Sequence, residues 1–212
     1  KRGRTRQALM DAALDLVAKK APFSSLSLRE VTKRAGVVPT AFYRHFPDMS
    51  ALGLTLLDES FRTLRQMMRE VRQHELPSER MIRGSLETFL TYVRNNRTHF
   101  LFVSKELYGG SATMRQAIRR EIRLFVSELA MDMARFPFLT QVSAEDLQMM
   151  ASLVVNGVVA LTQEMLELDE DDEAGQHEML ILAEKQVRLI YFGVAQWRSG
   201  SDQPASAAMS AE

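Results

Sequence analysis

In the run P-T-A-F-Y-R-H-F at positions 39–46, a hydroxyl, a methyl and a guanidinium fall at Thr40, Ala41 and Arg44. On a helix turning about 100° per residue, these three project from one side. Phe42 and Phe46 project from the opposite side, and Tyr43 and His45 occupy the shoulders. The outward set suits the edges of stacked base pairs: an arginine can donate two bonds to guanine O6 and N7, and small apolar atoms can meet a thymine methyl. Tyr43 and His45 suit phosphate oxygens instead. Arg4, Arg6, Ser27 and Lys33 join them in contacts that hold a helix on a duplex without reading it.

Such chemistry requires two short helices joined by a tight turn, and the flanking residues predict them. Ser27 and Glu30 have the spacing of a capping box, in which a hydroxyl and a carboxylate each satisfy a backbone N–H of the other residue. Leu28, Val31 and Ala35 then form one apolar stripe, and Gly36 ends the helix where a positive backbone angle is needed. Pro39 suits the first position of the next helix, where its missing N–H has no intrahelical partner, and that helix is expected to reach Phe46. A preceding helix, expected from about Thr5, carries Leu9, Ala13, Leu16 and Val17 on one face and stops at 21–23. Residues 1–47 therefore read as a three-helix head bearing a helix-turn-helix and opening on a basic arm at 1–6.

Charge supports this division. The whole chain of 212 residues is formally neutral, yet residues 1–50 carry ten cations against four acids, a net +6 that leaves −6 for the rest. A basic head on an acidic body fits a protein of which one end meets a polyanion.

Beyond Pro47 the apolar spacing predicts six further helices: a long one at Met49–His74, then about 78–95, 98–108, 112–136, 143–168 and 177–197. Ser143 with Asp146 forms a second capping pattern. The fold class is all-α, with a body at 48–198. Residues 199–212, rich in Ser and Ala, read as a disordered tail. No apolar run suggests a membrane span, and the absence of cysteine fits a reducing compartment, so a cytoplasmic protein is expected. Chemistry on a substrate finds little support. There is no glycine-rich phosphate loop and no nucleophile elbow, the histidines at 45, 74, 99 and 177 are isolated, and the acidic run at 169–172 suits a solvated loop. Neither a catalytic residue, a metal site nor a cofactor is expected.

The segments S-L-S-L-R-E-V-T-K-R-A-G-V at 25–37 and F-Y-R-H-F at 42–46, with the helix opening after Pro47, resemble the TetR family of bacterial transcriptional repressors. That resemblance implies an all-helical homodimer of about nine helices per chain, a roughly palindromic operator in double-stranded DNA and a small-molecule effector. Met49 departs from the pattern, since many members carry a lysine there that holds a phosphate. L-S-L-R-E-V at 26–31 with P-T-A-F-Y-R-H-F at 39–46 and L-G-L-T-L-L-D-E-S at 52–60 is similar to the branch of fatty-acid regulators that includes FabR and DesT. The branch implies a long-chain acyl-CoA or other acyl thioester as effector and genes of unsaturated fatty acid synthesis as targets. A drug or another lipophile as effector is the alternative within the family. A helical interaction protein without DNA binding is the alternative outside it.

For such an effector the candidate lining residues are Phe89, Tyr92, Val93, Phe100, Phe102 and Leu107, with Met114, Ile118, Phe125, Met150, Val154 and Met165 from later helices. Methionine and aromatic side chains adapt to greasy ligands of varied shape. Arg94, Arg97, Lys105, Arg115 and Arg119 are candidates to meet phosphates at its polar end. In the family the last two helices form the dimer, which implies contacts by Val155, Val159, Leu189, Phe192 and Trp197. Gly157, costly within a helix, marks a close approach or a cavity wall.

Overall fold

The structure, a computed structural model, describes residues 2–19, 22–74, 79–194 and 197. Among these residues the chain is entirely helical, with nine α-helices: α1 (Arg2–Lys19), α2 (Leu28–Arg34), α3 (Pro39–Phe42), α4 (Met49–His74), α5 (Glu79–Asn95), α6 (Arg97–Gly109), α7 (Ala112–Met133), α8 (Ala144–Glu167) and α9 (Glu173–Val194). Single 3-10 turns at Phe23–Ser25 and Pro137–Leu139 complete it. The anticipated tail at 199–212 lies outside the described residues, as does the Ser78 cap expected for α5.

Several boundaries differ from those expected, and α1 begins at Arg2 rather than near Thr5. α3 is one turn long rather than reaching Phe46; residues 43–45 continue as turns, with the His45 N–H donating to the Phe42 carbonyl at 2.9 Å. α9 begins at Glu173, four residues before the apolar pattern, because the Asp172 carboxylate accepts from the Gly175 N–H at 2.9 Å. α7 ends at Met133, before the turn that approaches Pro137.

α7 and α8 pack along their lengths, α9 lies against α5 and α8, and α4 runs beside α5 and α7. Ion pairs fasten these neighbours: Arg65 to Glu121 and Arg69 to Glu128 join α4 to α7, and Arg83 reaches Glu184 across α5 and α9. Arg97 donates to the carbonyls of Leu166 and Leu168, at 2.6 and 3.0 Å, and so caps the C-terminus of α8 where carbonyls lack partners. One 18-residue window of α8 has a mean hydropathy of 1.4, enough by length and composition alone to suit a membrane crossing. Packing accounts for the composition: Leu147, Met150 and Ala151 are buried towards α7, and Leu161 packs with Leu86 and Ala183 from α5 and α9.

The core of the head does not end at residue 47. Leu9, Ala13, Val17, Val31, Phe42 and Phe46 form one buried cluster with Leu52, Leu56 and Phe61 of α4, Phe102 of α6, and Met114 and Ile118 of α7.

Candidate functional site

Two features of the head set the outward residues. The capping box at the start of α2 is complete: Ser27 Oγ accepts from the Glu30 N–H at 3.2 Å, and Glu30 Oε2 accepts from the Ser27 N–H at 2.9 Å. Gly36 is the one described residue with a positive φ, 68°, and it turns the chain between α2 and α3. An L side chain there would be strained although space is open around it.

Beyond this turn Phe42 and Phe46 are buried, their rings 5.7 Å apart. Thr40, Tyr43 and Arg44 are exposed with Pro39, while Ala41 and His45 are half-buried. Lys33 and Arg4 are exposed as well. These side chains are thus at least partly accessible on the head. Val38, the N-cap of α3, is 64% exposed beside them.

Arg6 is differently placed. Its guanidinium pairs with Glu59 at 3.0 Å and lies 5.4 Å from the centre of the Phe46 ring, so it joins α1 to α4 rather than projecting freely towards phosphate. Ser27 uses its hydroxyl within the capping box, donating to Glu30 Oε2 at 2.7 Å. Asp15 joins Lys19 and Arg34 at 2.6 Å each, and these partners, Lys19 foremost, hold its carboxyl below the usual range.

Within the body α4 to α9 surround a cavity of about 220 Å³. Phe61, Leu64 and Met68 of α4 form one wall, with Phe89 of α5, Phe100 and Leu107 of α6, and Phe125 of α7. α8 contributes Val154, Val155, Val158 and Val159. Phe89, Phe100, Leu107, Phe125 and Val154 are thereby brought together from the candidates of the sequence. The others go elsewhere. Phe102, Met114 and Ile118 belong to the core shared with the head, Phe102 meeting Phe23 edge-on at 5.6 Å. Val93 and Met165 pack together between α5 and α8, Met150 is buried against α7, and Tyr92 leans on Phe100 at 5.7 Å. Apolar spacing marks an inward face but does not say which of several interiors that face enters.

The proposed cations are also elsewhere. Arg94 donates to Gln176, Arg97 to α8 carbonyls, Lys105 to the Val17 carbonyl at 2.5 Å, and Arg115 to the Gly110 carbonyl. Arg119 is exposed and does not line the cavity. Val155 and Val159, expected at a dimer contact, line the cavity; Leu189 and Phe192 are 74% and 53% exposed, and Trp197 is exposed too. Leu153 leaves apolar surface on α8, and Leu182, Leu189 and Phe192 do so on α9. A side chain at Gly157 would meet only Gln186 of α9, at an ordinary 3.5 Å, so packing within the chain does not demand glycine.

α6 separates cavity from head. Phe100, Val103, Ser104 and Leu107 line the cavity, while Phe102, Lys105 and Glu106 fasten the helix to α1 and to the turn at Phe23–Ser25. Glu106 is fully buried; its Oε1 accepts from the Ser24 N–H at 3.4 Å, and its Oε2 has no partner. Burial pushes its pKa up, opposed by the backbone N–H groups of Ser24 and Phe23. At the other end of α6, His99 Nδ1 lies 2.7 Å from Ser60 Oγ on α4, and burial lowers its pKa.

An outward-facing helix-turn-helix, joined through a two-sided helix to an apolar cavity, defines a ligand-responsive DNA-binding regulator. Residues 9–54 match the family model of bacterial regulatory proteins of the tetR family, and residues 77–193 match that of the tetracyclin repressor-like C-terminal domain. The chain belongs to the TetR family of transcriptional regulators. Its fold is similar to that of a TetR-family regulator from Syntrophomonas wolfei (15% identity, 90% of this chain and 97% of that one, TM-score 0.73). It is also similar to the fatty acid degradation regulator FadR of Bacillus halodurans (14%, 89% and 95%, TM-score 0.68). A third similar structure is FadR of Bacillus subtilis in complex with stearoyl-CoA (13%, 87% and 96%, TM-score 0.66). Members of this family are regulators, not enzymes, and among the described residues no group of acidic or histidine side chains could hold a metal.

Proposed function

We propose that the protein is a homodimeric repressor that binds a palindromic operator and releases or grips it in response to a long-chain fatty acyl group, carried as an acyl-CoA or another thioester. The observation that carries this reading is the cavity itself: its walls are almost wholly aliphatic and aromatic, and no charged residue lines it. Such a space favours hydrocarbon over a polar metabolite. The FadR likenesses support the same effector class, and the fatty-acid-regulator pattern at 52–60 supports target genes of unsaturated fatty acid synthesis. The exposed apolar surface of α8 and α9, with Leu189 and Phe192, supports pairing of two chains, which would present two heads to two half-sites.

The switch would run through α6. A ligand changes the head only if it binds one arrangement of the body more tightly than another. Phe61, Val103, Leu107, Ile122 and Phe125 both line the cavity and pack against the core of the head, so ligand contacts there bias the seat of α1. The decisive experiment selects operator sequences from random duplexes and titrates the selected duplex in the presence and absence of oleoyl-CoA and stearoyl-CoA. A change in affinity with either thioester supports the reading, and identical affinity throughout sinks it. On the same duplex, Arg44→Ala is expected to relax base preference at one position of each half-site. Arg4→Ala is expected to weaken all sequences alike and to reduce the salt slope by about 1.

A further inference from the structure

Among the residues lining the cavity, three side chains have hydrogen-bonding capacity that the protein does not use. Ser85 of α5, Ser104 of α6 and Gln163 of α8 border the apolar space and make no hydrogen bond with any described residue. Thr162, the remaining polar residue, is satisfied within its own helix, donating to the Val158 carbonyl at 2.7 Å. A serine within a helix commonly turns its hydroxyl back to the carbonyl four residues earlier. Ser60 and Thr55 do so here, whereas Ser85 and Ser104 do not.

The cavity also lacks any cation. Arg94, Arg97, Lys105 and Arg115 each donate to protein oxygens away from it. A carboxylate or phosphate drawn into this space would lose its hydration without gaining an opposite charge, a heavy penalty. An uncharged carbonyl or hydroxyl would lose far less, and the two hydroxyls and the amide would replace its water partners.

Resting on the acyl reading above, we infer that the site recognises the hydrocarbon chain together with an uncharged acyl carbonyl, through Ser85, Ser104 and Gln163. It rejects the free fatty carboxylate and does not read the nucleotide of a coenzyme A ester. The effector class is thus a neutral ester or thioester of a long-chain acid, and the carrier remains outside the cavity.

The test displaces the neutral fluorescent lipid probe Nile red from the full-length protein with octadecane, methyl oleate, oleoyl-CoA and oleate at pH 8. Methyl oleate and oleoyl-CoA should act at concentrations within about threefold of one another. Oleate should require at least about tenfold more, and that gap should narrow as pH falls and the carboxylate takes a proton. Ser104→Ala combined with Gln163→Leu should weaken methyl oleate about tenfold and leave octadecane unchanged, which separates lost recognition from a damaged fold. Oleate binding as tightly as methyl oleate at pH 8 would overturn the inference. So would a double variant that binds methyl oleate undiminished, or oleoyl-CoA binding a hundredfold more tightly than the methyl ester. Failure of all four compounds to displace the probe would instead remove the acyl reading on which the inference rests.

Discussion

Phe42 in the head and Phe89 in the body are both aromatic residues on inward helix faces, but their surroundings differ. Phe42 is wholly buried between Phe46 and the residues of α1 and α4, with neighbours on every side. Phe89 meets Phe100 at 6.1 Å on one side and the cavity on the other. A ring facing empty space forfeits the dispersion contacts of that face. The head is packed to hold one shape while its outward residues are presented. The body encloses an apolar cavity, and that space is what a ligand can occupy.

The largest effect expected from this contrast lies in the head. Phe42→Ala removes a ring from a close-packed core and should cost about 3–5 kcal/mol, abolishing DNA binding. Phe89→Ala enlarges a space that already exists and should cost clearly less than Phe42→Ala, since the side of the ring that faces the cavity has few protein contacts to lose. Urea unfolding of both variants, followed by circular dichroism, compares them directly. Equal losses would break the distinction between a filled core and an open one.

A second contrast lies along α6, whose ends hold buried groups with opposite pH responses. Glu106 has a raised pKa in the folded protein and an ordinary one when unfolded. Between those two values the folded state holds more protons, so its stability falls as pH rises and levels off above the raised value. His99 has a lowered pKa, so the folded state holds fewer protons and stability is lost as pH falls through and below the ordinary histidine range, about 6.5. Glu106→Gln cannot ionise. It should flatten the fall on the alkaline side and so leave the variant less sensitive to rising pH than the natural chain. His99→Gln should flatten only the acid limb. Melting temperatures from pH 4.5 to 8.5 check both, and a Glu106→Gln profile parallel to that of the natural chain would refute the assignment.

The two regions also differed in how far they could be read beforehand. The head was legible because its devices are local: Ser27 with Glu30, Gly36, and Phe42 with Phe46 each act across one to four residues, and spacing alone locates them. The helices of the body were equally visible, since each carries its own apolar stripe. What spacing could not resolve was the destination of a stripe. Phe100 and Phe102 are two residues apart on α6, yet one enters the cavity and the other the core of the head. Their separation depends on which helices lie on either side, which is a property of tertiary packing. The partners of charged residues are hidden from spacing for a similar reason. Arg6 and Lys105 are basic in composition, but each already has a protein partner brought close by the fold.

The smallest predicted effect tests whether Ser27 serves the fold or the operator. Ser27→Ala leaves the Glu30 N–H without its side-chain acceptor and should cost about 1 kcal/mol, within the range of N-cap losses. Ser27→Asp retains an oxygen suited to the cap and adds negative charge near the N-terminus of α2, where the helix dipole favours it. If Ser27 also approaches a phosphate, the two variants should diverge: alanine should lower the melting temperature by a few degrees with a small loss of operator affinity, while aspartate should preserve melting and lose affinity severalfold through repulsion. If the residue is a cap alone, aspartate should match the natural chain in both measurements. Melting curves and operator titrations on the same preparations distinguish these outcomes, because stability reports the cap and affinity at fixed salt reports the phosphate.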